Sequence, residues 1–309
     1  MADNFQADAG ERAWVITGPT AGIGRRTALE LAKHGTVVLV GRNPVKLDEV
    51  MHEIHAAAGR AFTVVGDLSD ILSARHAAGE VAELDLPIAG VLNNAGAMSA
   101  QPFTSVQGWD GIFATDHLGP FAFTEALLPS LDDGTHVAFI VSAVEDPERK
   151  PAVASGFRGA RYISAEASAR GQWAPGGSKN PGFDAYATAK QGNLATVLAF
   201  TREFSRLRFT AIEPGFNPGS DLGRDAALPL RLLAKYVLSP LAPRIKYWSN
   251  PSTAARVITR ILTDPSAASG VYYDEKGMPM EGSEQIRNIE FQDRFIAETR
   301  ALLAEVPVA

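Results

Sequence analysis

The sequence contains no cysteine. That absence excludes disulfides, thiolate metal sites and cysteine nucleophiles. There is no surplus of positive charge either. The formal net charge is −6, so a nucleic-acid partner has no electrostatic support. No apolar run approaches the ~20 residues that a membrane span needs. Met1 to Arg12 is polar and mixed in charge, without the apolar centre of a signal peptide. A flexible stretch over residues 1–12 and a cytoplasmic location are expected on those grounds. His52 and His55 have metal-like spacing but no third ligand nearby, so no metal site is expected. What remains is ordinary for a globular chain, 46% apolar and 21% charged over 309 residues. That length suffices for one large domain with a full core.

Apolar runs alternate with amphipathic stretches. Ala13 to Thr17, Thr36 to Gly41, Ala61 to Val65, Pro87 to Asn93, His136 to Val141 and Phe209 to Glu213 read as strands. Helices are predicted over Gly22 to His34, Pro44 to Ala58, Ser69 to Glu80, Gln107 to Leu131 with a bend at Gly119-Pro120, and Asp184 to Arg206. Strands separated by helices at this spacing give parallel crossovers, hence a doubly wound α/β sheet of Rossmann type in one domain over 1–309. Strands apolar along their whole length fit a sheet covered on both faces. Two segments break the rhythm. Residues 143–183 form an insertion, with Pro175-Gly176-Gly177-Ser178 and Asn180-Pro181-Gly182, and loops this long are usually functional or mobile. Residues 226–250 hold an apolar stretch, Leu228 to Trp248, broken by Pro229, Pro240 and Pro243, which reads as a broken helical flap.

The first strand runs into Thr17-Gly18-Pro19-Thr20-Ala21-Gly22-Ile23-Gly24. Three glycines at a strand-to-helix turn allow a tight turn, close approach to a pyrophosphate, and close helix packing. The helix beginning there offers free N–H groups and a positive dipole end. A ligand-free glycine turn is the competing explanation, and the strand before and helix after weigh against it. The second strand ends Gly41-Arg42-Asn43, with no acid to accept from a ribose 2′-hydroxyl. Arg42 suits a 2′-phosphate instead, so the expected cofactor is NADP(H). Arg25 is either part of the same pocket or a solvated surface residue. Asp67, in Gly66-Asp67-Leu68-Ser69, either accepts from the adenine amine or caps the next helix. Asn93-Asn94-Ala95-Gly96 ends the fourth strand at the edge where open sheets bind ligands.

TGPTAGIG, GDLS, NNAG, YATAK and EPG, in that order, resemble the short-chain dehydrogenase/reductase family, from about Trp14 to Tyr273. Gly41-Arg42-Asn43, His117-Leu118-Gly119, and Arg161-Tyr162 with Ser164-Ala165-Glu166 are similar to its retinol-dehydrogenase and protochlorophyllide-reductase-like branch. The resemblance implies cofactor contacts at Gly18, Thr20, Gly22, Ile23, Gly24, Asp67, Leu68, Asn94, Ala95, Gly96, Pro214 and Gly215. Tyr186 and Lys190 share one helix face. The resemblance makes Tyr186 the proton donor to a carbonyl, with Lys190 lowering the phenol's pKa and holding the nicotinamide ribose. A serine leaving the fifth strand should orient the carbonyl oxygen. Ser142 fits that place if Glu145-Asp146-Pro147 sets the alignment, and Ala143 occupies it if the strand does.

Asp116 stands where the family has an asparagine whose backbone carbonyl holds a water linked to the lysine. His117 beside it is expected to be packed or capping. Glu213-Pro214-Gly215-Phe216-Asn217-Pro218-Gly219-Ser220 resembles the family's nicotinamide-packing loop, and residues 226–250 fall where the family carries its substrate lid. An apolar lid favours an apolar small-molecule substrate. The expected activity is NADPH-dependent carbonyl reduction. The alternatives are an NAD(P)-dependent alcohol dehydrogenase and a cofactor-binding regulator weakened at Asp116 and Ala143. In monomeric carbonyl reductases of the family a comparable insertion covers the pairing helix, so a monomer is expected.

Overall fold

The computed structural model describes residues 12–99, 102–217 and 242–307. Most of the predicted lid, with Pro218, Gly219 and Ser220, lies outside them. Eight strands form one sheet in the order β3-β2-β1-β4-β5-β6-β7-β8. They are β1 (Ala13–Thr17), β2 (Thr36–Gly41), β3 (Ala61–Val65), β4 (Ile88–Asn93), β5 (His136–Ile140), β6 (Arg208–Ile212), β7 (Val271–Tyr273) and β8 (Pro279–Met280). The first seven are parallel, and β8 closes the edge antiparallel to β7. This is the doubly wound sheet expected from the alternation of strands and helices. The pair β7 and β8 was not predicted, because strands this short carry too little pattern to be read.

The helices are α1 (Gly22–Leu31), α2 (Pro44–Ala56), α3 (Ile71–Glu83), α4 (Gly111–Phe113), α5 (Gly119–Leu127), α6 (Lys150–Ala154), α7 (Ala165–Ala169), α8 (Pro181–Glu203), α9 (Pro251–Thr263) and α10 (Ile289–Ala304). The pleat of the strands sorts the core into two layers. Val15, Val38, Val40, Val91, Val137 and Phe139 face α3, α5, α8 and α10, packing on Phe121, Leu194, Phe200 and Phe295. Ile16, Val37, Leu39, Leu92, Ala138 and Ile140 face α1, α2 and α9, packing on Leu31, Leu47, Ile54 and Ile258. A sheet covered on both sides explains strands without polar alternation.

Helix starts follow their local signals. Asn43 accepts from Lys46 N at 3.1 Å and Pro44 opens α2. Asp70, not Asp67, caps α3, accepting from Leu72 N at 3.1 Å. The bend expected at Gly119-Pro120 is instead a π-turn over Ala114–Leu118, between α4 and α5. Pro120 has no N–H to offer the carbonyl four residues back, which belongs to Asp116. The turn widens there, with Gly119 N donating to Ala114 O, and π-turns of this kind gather at functional sites.

The insertion is anchored at several points. Arg161 N donates to Thr188 Oγ1 of α8 at 2.8 Å. Tyr162 stacks on Phe295 of α10 with centroids 4.0 Å apart, and its hydroxyl donates to Glu298 at 2.6 Å. Ser164, from the expected Ser-Ala-Glu stretch, caps α7 by accepting from Ala167 N.

Candidate active site

The strand ends β1, β2, β3 and β4 open onto a cleft of about 600 Å³ at the point where the strand order reverses. Gly18, Thr20, Gly22, Ile23, Gly24, Arg42, Asp67, Leu68, Asn94, Ala95, Gly96, Tyr186, Lys190 and Pro214 all line it. The glycine turn is shaped by close approach. Gly18 has φ +67°, and a Cβ there would come 2.9 Å from Ala95 Cα. A Cβ on Gly24 would overlap the Gly18 carbonyl. Gly22, φ +54°, faces open space where a ligand's phosphates can approach the start of α1. Asn94 braces the turn, its Nδ2 donating to Thr17 O and Gly18 O at 3.0 and 3.1 Å. Thr17 Oγ1 in turn accepts from the N–H groups of Asn94 and Ala95. A strand-end asparagine and the glycine turn thus form one rigid cradle.

At the adenosine end Arg42 is exposed on the cleft rim, and Arg25 is tied to Glu53 at 2.6 Å, outside the lining. Lys46 joins Arg42 there and was not singled out in the sequence. Its signal was present, because the Asn43-Pro44 cap places residue 46 on the first turn of α2. Asp67 Oδ1 accepts from Ser69 N and Ser69 Oγ at 2.9 and 2.7 Å. It therefore orders the turn at the cleft edge while Asp70 caps the helix.

At the other end, α8 presents Tyr186 and Lys190, with Lys190 Nζ 5.3 Å from the Tyr186 ring centre. Lys190 Nζ donates to Ile140 O at 3.2 Å. Asp116, fully buried on the π-turn, lies 3.5 Å from Lys190 Nζ and accepts from Ala97 N at 2.6 Å. The Asp116 carbonyl released by Pro120 accepts from Asn193 Nδ2 of α8 at 2.8 Å. A side-chain donor thus reaches the carbonyl for which the resemblance implied a water. Asn193 Oδ1 also faces His117 Nδ1 at 3.1 Å. His117 is packed among Phe113, Phe121 and Phe295, as expected, and burial pushes its pKa down to about 4.

Burial raises the Tyr186 pKa, the carboxylates of Asp116 and Glu213 raise it further, and the Ser142 hydroxyl opposes them. This reverses the direction expected from Lys190, because burial of the phenol dominates and Asp116, 3.5 Å from the ammonium, adds to it. Between the two candidate positions after β5, the hydroxyl of Ser142 lies against Tyr186, while Ala143 turns its N–H to Glu213. Ser142 and Gly215 stand outside the cleft lining, and Asp116 is enclosed beneath it. Beside Tyr186, Phe157 stacks on Phe183 at 4.2 Å, and after β6 Phe216 meets Trp248 edge-on at 4.9 Å. The described part of the expected lid, residues 242–250, is fastened to the loop after β6 by Phe216 N to Tyr247 O and Ser249 N to Phe216 O.

A sequence model described as short chain dehydrogenase matches residues 12–150. A short-chain dehydrogenase/reductase of Armillaria gallica is 27% identical over 286 residues, covering 90% of this chain and 89% of its own. Retinol dehydrogenase 13 of Homo sapiens is 27% identical over 278 residues, covering 84% and 75%. These likenesses support a place for the chain in the short-chain dehydrogenase/reductase family. The likeness to retinol dehydrogenase 13 supports the branch that the Gly-Arg-Asn and His-Leu-Gly stretches implied. A short-chain dehydrogenase from Burkholderia cenocepacia J2315, solved in complex with NADP, superposes with a TM-score of 0.64 at 17% identity, covering 87% of this chain and 98% of its own. The likeness supports an oxidoreductase of a family that works with a nicotinamide cofactor. Among the described residues, no helix is long and apolar enough to cross a membrane, and no histidine or carboxylate cluster suits a metal.

One family departure yields a prediction on stability. Burial pushes the Asp116 pKa up to about 6, against the pull of Lys190. The folded state then binds this proton more tightly than the unfolded chain does. Its contribution is most favourable below pH ~4, is lost as pH rises to ~6, and is level above. Two pKa units correspond to about 3 kcal/mol. Asp116→Asn should therefore unfold at higher urea than wild type at pH ~8, by on the order of 1–3 kcal/mol, with no gain at pH ~4, and should keep its turnover. A less stable mutant at pH ~8 would show that the Lys190 pair outweighs the burial cost.

Proposed function

We propose that this protein reduces the carbonyl group of an apolar small molecule with NADPH. The observation that carries this reading is Tyr186, 9% exposed, at one end of a dinucleotide cleft. Burial and two carboxylates keep its phenol protonated, the state a proton donor needs. The cradle of Gly18, Gly22 and the start of α1 fits a pyrophosphate. Arg42 and Lys46 supply charge for a 2′-phosphate, and Asp67 is placed to accept from the adenine amine. When bound in this cleft, NADPH would supply the hydride that the carbonyl carbon takes. Tyr186 gives its hydroxyl proton to the carbonyl oxygen, and Ser142 orients that oxygen. Lys190 and Asp116 form a buried ion pair behind the phenol. Phe157, Phe183, Phe216 and Trp248 give the substrate side an apolar, aromatic character.

The test is NADPH oxidation with a panel of aromatic aldehydes and ketones, 4-nitrobenzaldehyde as reference, set beside NADP⁺ reduction with the matching alcohols. Turnover of the carbonyls is expected. Cofactor binding without turnover in either direction would make the protein a binding module. The insertion lies on the tyrosine helix through Arg161 and Thr188, which supports a monomer. Sedimentation at micromolar concentration should give the mass of one chain, and a dimer mass would assign the insertion to the site alone.

A further inference from the structure

Glu213 follows β6 directly and is 7% exposed. Strands β5 and β6 run paired to Ile140 and Ile212, and Val141 N still donates to Ile212 O at 3.0 Å. Beyond this point the two chains separate around the reacting end of the cleft, and Glu213 spans the gap. Its Oε2 accepts a short hydrogen bond from Ala143 N, on the β5 side. Its Oε1 accepts from Gly215 N at 3.0 Å, on the β6 side. Ser142 directly precedes Ala143, and its hydroxyl pulls down the pKa of both this carboxylate and the Tyr186 phenol. Arg149, whose guanidinium is 4.1 Å over the Tyr247 ring, contributes the opposing positive charge.

Burying a carboxylate costs several kcal/mol unless it is bonded and offset. Here the cost falls one residue from Pro214, which lines the cleft, and near the Ser142 hydroxyl. Two backbone donors hold the carboxylate from opposite strands, so its position is set independently of any substrate. Ser142 has one hydroxyl torsion, and a fixed acceptor on one side restricts it.

We propose that Glu213 is a positioning residue of this reaction, clamping the exits of β5 and β6 and holding the Ser142 hydroxyl in register with Tyr186. It acts through Ser142 and does not touch the reacting atoms. The inference rests on the reading of Tyr186 and Ser142 given above. Gln is isosteric but has one oxygen, so Glu213→Gln keeps only one of the two backbone bonds. Without the clamp Ser142 samples other torsions, and the carbonyl is oriented for a smaller share of the time.

The experiment is a double-mutant cycle on Glu213→Gln and Ser142→Ala, with NADPH and 4-nitrobenzaldehyde. Glu213→Gln should lower kcat about tenfold or more while the Kd for NADPH, read by fluorescence, is unchanged. In the Ser142→Ala background the same change should cost no more than about twofold, because the group it positions is gone. In the cofactor-free protein, the Ala143 amide proton should move upfield in Glu213→Gln relative to wild type. Additive losses across the cycle would make Glu213 a general fold element and overturn the proposal. If the Gln variant does not fold, Glu213→Asp keeps the charge but falls short of Ala143, and the same kcat loss at unchanged NADPH affinity is expected. Failure of both variants to bind NADPH would equally overturn it. Should Tyr186→Phe or Ser142→Ala retain full activity, the functional reading itself fails. Should both lose activity while Glu213→Gln does not, only the positioning role falls.

Discussion

Tyr186→Phe is expected to lower kcat by about 10²–10⁴-fold while leaving NADPH affinity within about twofold of wild type, since that is the range that a positioned proton donor contributes. The substitution removes one oxygen and keeps the ring that packs beside Phe157. Fold and cleft should therefore persist, and the loss would report the proton alone. The phenol is enclosed near Asp116 and Glu213, so its proton is held firmly until a carbonyl oxygen gains negative charge and becomes a stronger base. The Ser142 hydroxyl, which bears on the phenol, has a far less acidic proton of its own. Steady-state rates with 4-nitrobenzaldehyde, together with NADPH binding by fluorescence, check both halves. A mutant that keeps most of the wild-type kcat would remove Tyr186 from the chemistry.

The second large effect concerns the cofactor. Wild type is expected to prefer NADPH over NADH in kcat/KM by about tenfold to a hundredfold, because a charge-assisted contact to phosphate contributes roughly 1.5–3 kcal/mol. Arg42 and Lys46 both reach the same rim of the cleft, and no carboxylate in its lining lies on the second strand to repel the phosphate. Arg42→Ala should lose most of the preference, and Arg42→Ala with Lys46→Ala nearly all of it. Both cations are exposed, so the preference should shrink with added salt. Gly41→Asp combined with Arg42→Ala should turn the enzyme toward NADH by adding an acceptor for the 2′-hydroxyl. A Cβ at Gly41 would come 3.3 Å from the end of Leu47, so that flexible side chain must shift by a few tenths of an ångström to admit it. Equal use of both cofactors by wild type, or an undiminished preference in the double mutant, would show that neither cation reads the phosphate.

What could be read from the chain was local. The glycine turn after Thr17, the Asn43-Pro44 start of α2 and the Tyr186/Lys190 spacing on α8 each depend on residues within one or two turns of one another. Six strands were legible because burial on both faces leaves an unbroken apolar run. The short strands β7 and β8 were not, since their pairing energy comes from neighbours and not from their own pattern. The helix irregularity was foreseen near Pro120 but assigned to the wrong residues. A proline's missing N–H is felt four residues earlier, at Asp116, where Asn193 then supplies the donor from another helix.

By itself, the sequence determined the class of fold, the edge of the sheet that holds the cleft, and the residues that mark its two ends. Only the tertiary structure decided how the charges there balance. Asp116 meets Lys190 across two helices, and Glu213 joins the ends of two strands beside Ser142. Separated by 74 and 71 positions in the chain respectively, these groups interact only because the fold brings them into one buried space. In that space charges are poorly screened, so the direction of each pKa follows from who is packed against whom, a property that no local pattern carries.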